Sequence, residues 1–324
     1  MEFTLCFTHR FSRTVFAYGS LVVISIFASE LTAQTTESQD RAQLLSNQPG
    51  LQPGSNVSAE GVDNGQAAES PNDSDLGEQA ILKKAERYQP FTALLAVPFY
   101  YTSNAALARR GEQSDFITVP EARVTYVPRI TRTLYGDISV QQDYFNYARF
   151  SELNFGSLDV RAGLDYFLPQ WHNLILRGYY DYNRLTSNDG FDDFFSNHSL
   201  IFNAELPFRF GRAQQASVGV AADISLAATP DLPRRDQYDF YIGYSVSVTR
   251  AFSLDAAGRI VVRDYVLGDR VDVSEVLAFT ASYRVNKYIT GSFISTFAAN
   301  QSNHSVFDYG VANVGGAASL AIKF

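Results

Sequence analysis

The stretch LDVRAGLDY, residues 158–166, alternates strictly between two kinds of side chain. Its even-numbered positions carry Leu, Val, Ala, Leu and Tyr, and its odd-numbered positions carry Asp, Arg, Gly and Asp. Successive side chains of a β-strand point to opposite faces, so this period of two predicts a strand with one apolar face and one charged face.

The same alternation recurs along most of the chain. It is clear again over residues 174–183 and 218–226, and it continues to residue 324. These segments are longer than the roughly 5–6 residues of usual globular strands, and they suffice for the ~9–11 residues of a tilted membrane-spanning strand. Twelve are predicted, at 91–103, 115–128, 132–146, 155–167, 173–185, 197–209, 215–228, 237–249, 252–266, 273–285, 288–299 and 312–324.

The connections between these segments alternate between short and long. Those near 128–132, 168–172, 210–214, 249–251 and 286–287 are short, and those near 104–114, 147–154, 186–196, 229–236, 267–272 and 300–311 are longer. Short turns at one end and longer loops at the other are typical of outer-membrane barrels. The predicted fold is therefore all-β, a transmembrane antiparallel barrel of about twelve strands over residues 91–324.

Aromatic residues support this interpretation. The chain has 25 Phe and 19 Tyr but one Trp, and its mean hydropathy of -0.12 argues against a helical membrane protein but not against a barrel. Many aromatics fall near segment ends, such as Phe167 and Trp171 at short turns and Tyr144 and Tyr180 near longer loops. Rings at both ends are what two membrane interfaces favour.

The N-terminal part has a different character. Arg10 and Arg13 precede an apolar run over residues 15–28, which predicts a signal peptide over 1–33, with a retained membrane anchor as the alternative. Cys6, the only cysteine, would leave with that peptide. Residues 34–74 are polar and are predicted to be a disordered periplasmic linker. Residues 75–90 are predicted to be a short helix or linker, either solvated in the periplasm or docked in the barrel.

The polar face of each strand is expected to line the interior. The parity of the clear strands predicts a pore lining of Arg123, Asp137, Asp159, Arg161, Asp165, Arg177, Asp181, Glu205, Asp223 and Arg259. Two interpretations stay open: these charges pair across the wall, or they filter solutes. The inward positions of strands ten to twelve are small and nearly neutral, which leaves room for water or for a segment such as residues 81–88.

The last segment places Val314, Gly316, Ala318, Leu320, Ile322 and Phe324 on one face. A terminal strand of this pattern resembles the C-terminal signature of Gram-negative outer-membrane proteins, and residues 91–324 resemble porin-like barrels. The resemblance implies secretion through the inner membrane, recognition of Phe324 by the barrel-assembly machinery, and insertion among the lipids of the outer membrane.

Other classes of function have little support in the sequence. Asn197-His198-Ser199 and Asn303-His304-Ser305 bring Ser and His near loops, as an outer-membrane lipid hydrolase would need, but adjacent strand residues face opposite sides. The acidic run at 189–193 lacks the spacing of a calcium loop, so no metal or cofactor is expected. A net charge of -8 does not favour nucleic-acid binding.

The leading functional hypothesis is a porin-like channel for passive diffusion of small hydrophilic solutes. The alternative is a non-conducting barrel that acts as an anchor or assembly component through its periplasmic extension.

Overall fold

A computed structural model describes residues 35–45, 88–187, 192–211 and 213–324. A helix, α1, spans residues 35–45. Thirteen strands follow: β1 Phe91–Thr102, β2 Asp115–Thr118, β3 Glu121–Tyr126, β4 Leu134–Tyr147, β5 Phe155–Leu168, β6 Leu174–Ser187, β7 Asp193–Phe210, β8 Gln214–Thr229, β9 Arg235–Ser247, β10 Phe252–Tyr265, β11 Val271–Arg284, β12 Ile289–Ser302 and β13 Tyr309–Lys323. Single 3-10 turns lie at Ser151–Leu153, Pro169–Trp171 and Ser305–Phe307.

The strands form one closed antiparallel sheet. Neighbours in sequence pair with each other, and β13 pairs with β1, so the sheet has no free edge. β2 and β3 both pair with β1 and with β4, so together they make one position in the wall. Pro120 separates them, because a proline has no N–H to give to the ladder. The result is the predicted barrel of twelve wall positions.

The two faces of the wall follow the predicted alternation. In β5, Asp165 is fully buried inside the barrel, whereas the residue before it, Leu164, is 48% exposed on the outside. The register of β5 and β6 places Asp165 opposite Arg177 and Arg161 opposite Asp181. The interior is therefore polar and the exterior apolar, as a barrel in a bilayer requires.

The two ends of the barrel also follow the predicted order. β1 starts at the end that carries the connections 127–133, 169–173, 211–213, 248–251 and 285–288. The other end, called the mouth below, carries 103–114, 148–154, 188–192, 230–234, 266–270 and 303–308. Several mouth connections are shorter than expected, because strands such as β7 continue beyond their predicted limits. By the usual topology, the mouth faces outward from the cell.

Helix α1 lies inside the mouth, within the segment that the sequence predicted to be disordered. Asp40, Arg41, Leu44 and Leu45 are all buried there against the ends of several strands. The sequence predicted a disordered linker over residues 34–74 because that segment offers little apolar surface to bury. Residues 35–45 of it are helical here, and α1 docks through Asp40, Arg41, Leu44 and Leu45 on a surface distant in sequence. In the described part of the chain, no helix is long and apolar enough to cross a membrane.

Apolar side chains pack inside the barrel at both ends. At the mouth, Leu44 and Leu45 belong to a cluster with Tyr100, Leu107 and Phe145. The same cluster includes Val276, Ala278, Ala298 and Val311 of the small, neutral wall. The room expected there is thus partly used by α1. Residues 81–87, the other segment predicted for that room, lie outside the described residues.

At the short-turn end, Tyr135, Phe167 and Ile175 form a smaller buried cluster. Phe167 therefore faces inward and does not join the outer aromatic belt predicted for it, because its position in β5 has the parity of Asp165. Tyr88 lies beside this cluster, where its hydroxyl donates a hydrogen bond to the carbonyl of Val127. Residues 88–90 are not helical.

Other N-terminal predictions fall on residues that the structure does not describe. These are the signal peptide or anchor at 1–33, the linker outside α1 at residues 34 and 46–74, and the helix over residues 75–87. They stay predictions.

Candidate functional site in the barrel interior

The structure places all ten predicted lining residues on the interior side of the wall. They lie on seven strands, β3 to β8 and β10, and neighbouring strands bring them into a connected polar network. Their role as a pore lining stays a prediction.

Arg177 lies at the centre of this network. Its Nη1 donates to Glu205 Oε2 and to Asn203 Oδ1, both at 2.7 Å, and its Nε lies 3.9 Å from Asp165 Oδ1. Tyr179 donates its hydroxyl to the same Asp165 oxygen at 2.5 Å. Arg177 thus links carboxylates from two strands, β5 and β7.

The Tyr179 contact depends on a glycine in the neighbouring strand. Gly163 is paired with Tyr179, and a Cβ built on Gly163 would lie 2.4 Å from Tyr179 Cδ1 and 2.1 Å from the Gly178 carbonyl oxygen. Gly219 stands in the same relation to Tyr241, whose hydroxyl accepts from Asn203 at 2.9 Å. Glycine at these two positions lets an inward tyrosine ring lie across the adjacent strand.

Other arginines of the wall are paired in the same way. Arg161 Nε lies 3.0 Å from Asp181 Oδ1, Arg259 Nη2 2.6 Å from Asp239 Oδ2, and Arg123 Nη2 2.9 Å from Glu121 Oε1. These contacts match the interpretation in which inward charges balance each other, between neighbouring strands for Arg161 and Arg259 and within β3 for Arg123. A charge that is both buried and paired contributes little to an open field.

Some interior carboxylates have neutral partners instead of cations. Gln141 donates to Asp143 Oδ2 at 2.7 Å, and Asn183 donates to Asp159 Oδ1 at 2.9 Å. Asp137 Oδ1 is buried and has no hydrogen-bond partner among the described residues. Acidic charge therefore exceeds basic charge in this part of the interior.

At the mouth, the carboxylate of Asp40 enters a basic site formed by the wall. Asp40 Oδ1 lies 2.7 Å from Arg235 Nη1 and 3.6 Å from Arg263 Nε, and Oδ2 accepts from the Tyr309 hydroxyl at 3.2 Å. Burial alone would raise the pKa of Asp40, but the charges of Arg263 and Arg235 outweigh it and hold the pKa below its ordinary value. Asp40 is therefore ionised where it docks.

Arg41 fixes the other side of α1 with neutral acceptors. Its Nη1 donates to Thr102 Oγ1 at 3.2 Å and to Asn313 Oδ1 at 3.1 Å. Its Nη2 donates to the carbonyl oxygens of Asn104 and Ala105 at 2.6 and 3.0 Å. α1 thus ties β1, its following loop and β13 together across the seam of the barrel.

A cavity of about 150 Å³ lies beneath α1. The helix covers it with Gln39, Ala42 and Gln43, and its walls include Asp159, Arg161, Arg177, Asp181, Asp223 and Arg259. Six of the predicted lining residues thus surround one polar space, which α1 covers on the mouth side.

Sequence reasoning missed the basic site at the mouth. Arg235 was assigned to a loop, although counting back by twos from the inward Asp239 reaches it. Arg270 and Asp272, which pair at 2.5 Å, were also assigned to a loop. Asp40 carried no signal, because a single acid in a polar segment does not indicate where it binds.

The side chains proposed for a lipid hydrolase do not form a pair at residues 198 and 199. Ser199 is buried in the interior, whereas His198 lies outside with its Nδ1 2.6 Å from the Tyr180 hydroxyl. Among the described residues, no group of three His, Cys, Asp or Glu side chains is placed to hold a metal ion.

No family model and no curated protein matches the chain. Solved structures do. An outer-membrane channel from Pseudomonas putida F1 has a TM-score of 0.53 at 13% identity, over 73% of this chain and 96% of that one. Outer membrane phospholipase A from Escherichia coli has 0.45 at 14%, over 70% and 92%, and the NanC porin has 0.44 at 13%, over 70% and 98%. The likeness to the Pseudomonas channel, together with the closed sheet, establishes the fold of this chain as that of an outer-membrane β-barrel.

Proposed function

We propose that this chain is an outer-membrane channel through which small hydrophilic solutes diffuse passively, and that α1 closes it at rest. The observation that carries the proposal is the polar cavity beneath α1. Charged residues of the wall line this cavity, and α1, which is not one of the wall strands, covers it. A barrel with a filled apolar interior would have no such space.

The contacts of α1 are suited to a reversible closure. Asp40 and Arg41 hold it through ion pairs and hydrogen bonds, whose net contribution is modest because water can replace them. Leu44 and Leu45 add apolar burial at the mouth.

A non-conducting barrel is the second candidate, and the same helix favours it. If α1 stays docked, the cavity is closed to the outside and the protein serves as an anchor or assembly component. The two candidates therefore differ in whether an open path exists when α1 is absent.

Single-channel recording in planar bilayers separates them. The full mature chain is compared with a variant that lacks residues 34–45 and with a control that lacks residues 50–61 and keeps α1. We expect rare openings in the full chain and the control, and long-lived conductance in the variant without α1. If the variant migrates as a folded barrel in unheated gels but conducts no ions, the channel proposal is wrong and the non-conducting candidate stands.

A further inference from the structure

The arginines inside the barrel fall into two groups by the origin of their carboxylate partners. Five pair with a carboxylate of the wall itself: Arg123, Arg161, Arg177, Arg259 and Arg270. Arg235 and Arg263 differ, because in the described part of the chain the only carboxylate that contacts either of them is Asp40 of α1. The wall therefore presents two guanidinium groups whose counter-ion comes from outside it.

Neutral side chains of the wall hold both guanidinium groups in place. Arg235 Nη1 donates to the Tyr265 hydroxyl at 2.8 Å. Arg263 Nη1 donates to Ser274 Oγ at 2.5 Å, and its Nη2 donates to Gln43 of α1 at 3.2 Å. Both arginines are more than nine-tenths buried. The positive charges are thus oriented by groups that do not neutralise them.

The geometry around Asp40 is that of a receptor for a carboxylate. Two cationic nitrogens approach one oxygen, and the Tyr309 hydroxyl donates to the other. Two cations this close to a buried carboxylate favour its charged form. When α1 leaves, water reaches the two guanidinium groups, and an anion that takes the place of Asp40 restores the lost ion pairs.

We propose that Arg235, Arg263 and Tyr309 form a binding site for small organic acids at the mouth of the channel, and that Asp40 occupies this site in the closed state. The inference rests on the proposed function, since it names the class of solute that the channel admits. A carboxylate solute competes with Asp40 for the same donors. Its binding stabilises the state in which α1 is released, so the solute favours opening of its own path.

The covalent link between Asp40 and its site sets the strength of this competition. Because α1 belongs to the same chain as the wall, Asp40 acts on the site at a high effective concentration, which a free carboxylate has to match. Removal of the Asp40 charge should therefore strengthen binding of a free carboxylate by at least about tenfold, equivalent to about 1.4 kcal/mol.

Isothermal titration of the detergent-solubilised full chain with succinate tests the proposal. Asp40→Asn should bind succinate at least about tenfold more tightly than the wild type. Addition of Arg263→Gln to that variant should abolish binding, whereas addition of Arg284→Gln, at an exposed arginine of the short-turn end, should not change it. Binding that is no tighter in Asp40→Asn, or that survives Arg263→Gln, would overturn the proposal.

Two further measurements keep the result interpretable. The variant lacking residues 34–45 also has no Asp40, so it should bind succinate about as tightly as Asp40→Asn. It provides the test if Asp40→Asn folds poorly. Inorganic phosphate is titrated in parallel and should bind more weakly. Equal binding of phosphate would show a general anion site and overturn the assignment to carboxylates.

Failure of this inference is distinguishable from failure of the proposed function. If the variant without α1 conducts ions but does not bind succinate, the channel proposal stands and the organic-acid site is wrong. If succinate binds but no variant conducts ions, the binding site stands and the channel proposal, on which the solute assignment rests, is wrong.

Discussion

Phe91 and Phe324 exchange both of their backbone hydrogen bonds, with N···O distances of 3.1 and 3.0 Å. Their rings stack with centroids 5.5 Å apart, and Tyr126 stacks on Phe91 at 4.4 Å. The register of β1 and β13 continues from this pair along the seam. The first and last wall positions are thus locked together at the short-turn end by both backbone and aromatic contacts.

Phe324→Ala should slow closure of the barrel, because the seam loses a ring stack of about 0.5–1.5 kcal/mol at its terminal pair. Assembly in cells is followed by the fraction that shows the folded mobility on unheated gels after pulse labelling. Phe210→Ala, which removes an exposed ring at another short turn, is the matched control. Equal assembly of Phe324→Ala and the wild type would remove the proposed assembly role of this residue.

Val140→Arg should destabilise the barrel in lipid by about 2–4 kcal/mol, because this outward position lies midway along β4, where a bilayer is most apolar. Leu176→Arg, near the start of β6 at the short-turn end, should cost about 1 kcal/mol or less. Urea titration of the protein folded in vesicles measures both. A larger cost at Leu176 than at Val140 would contradict this placement of the membrane.

For small inorganic ions, the lumen below the mouth should favour cations weakly, because its carboxylates outnumber its arginines and most of those arginines are paired. The site at Arg235 and Arg263 acts on carboxylate solutes at the mouth only. Reversal potentials under a salt gradient measure this in the variant lacking residues 34–45. Asp165→Asn with Asp181→Asn should reduce the preference, since Arg161 then loses its partner. The effect should shrink at high salt, where screening acts over a few ångströms. Anion selectivity before these changes would contradict the charge argument.

Closure by α1 should weaken as the pH rises from about 5 to 7. Burial in the docked helix raises the pKa of Glu37 to about 7. The positive charge of Arg41 lowers this pKa, and the negative charge of Asp40 raises it. Docked Glu37 therefore holds a proton that released Glu37 loses near its ordinary value of 4.5. The contribution of Glu37 to docking is largest below pH 4.5 and decreases as the pH rises to about 7. Above pH 7 this residue causes no further change in docking.

Open probability between pH 4.5 and 8 tests this dependence. Glu37→Gln should remove the part of the pH response that Glu37 causes and keep the channel more closed at pH 7.5. Glu112→Gln, an exposed glutamate in the first mouth loop, is the control and should behave as the wild type. A response to pH that is identical in Glu37→Gln and the wild type would place the titrating group elsewhere.

The sequence by itself determined the wall. Alternation in stretches such as 158–166 assigns Asp159, Arg161 and Asp165 to one face without any knowledge of the fold, because side-chain direction in a strand depends only on parity. Strand number, the order of long and short connections, and the neutral side of β11 to β13 follow from the same local rule. Phe167 was misassigned because aromatic type was given more weight than parity.

Only the tertiary structure decided what fills the mouth. Asp40 meets Arg235, Arg263 and Tyr309 across 195, 223 and 269 residues of chain, and no periodicity relates one polar residue to such distant partners. Closure of the barrel is what brings the ends of β9, β10 and β13 together, and the charge left unmatched there selects the helix that docks. A local pattern specifies the wall, but the match between Asp40 and the mouth exists only after the wall has closed.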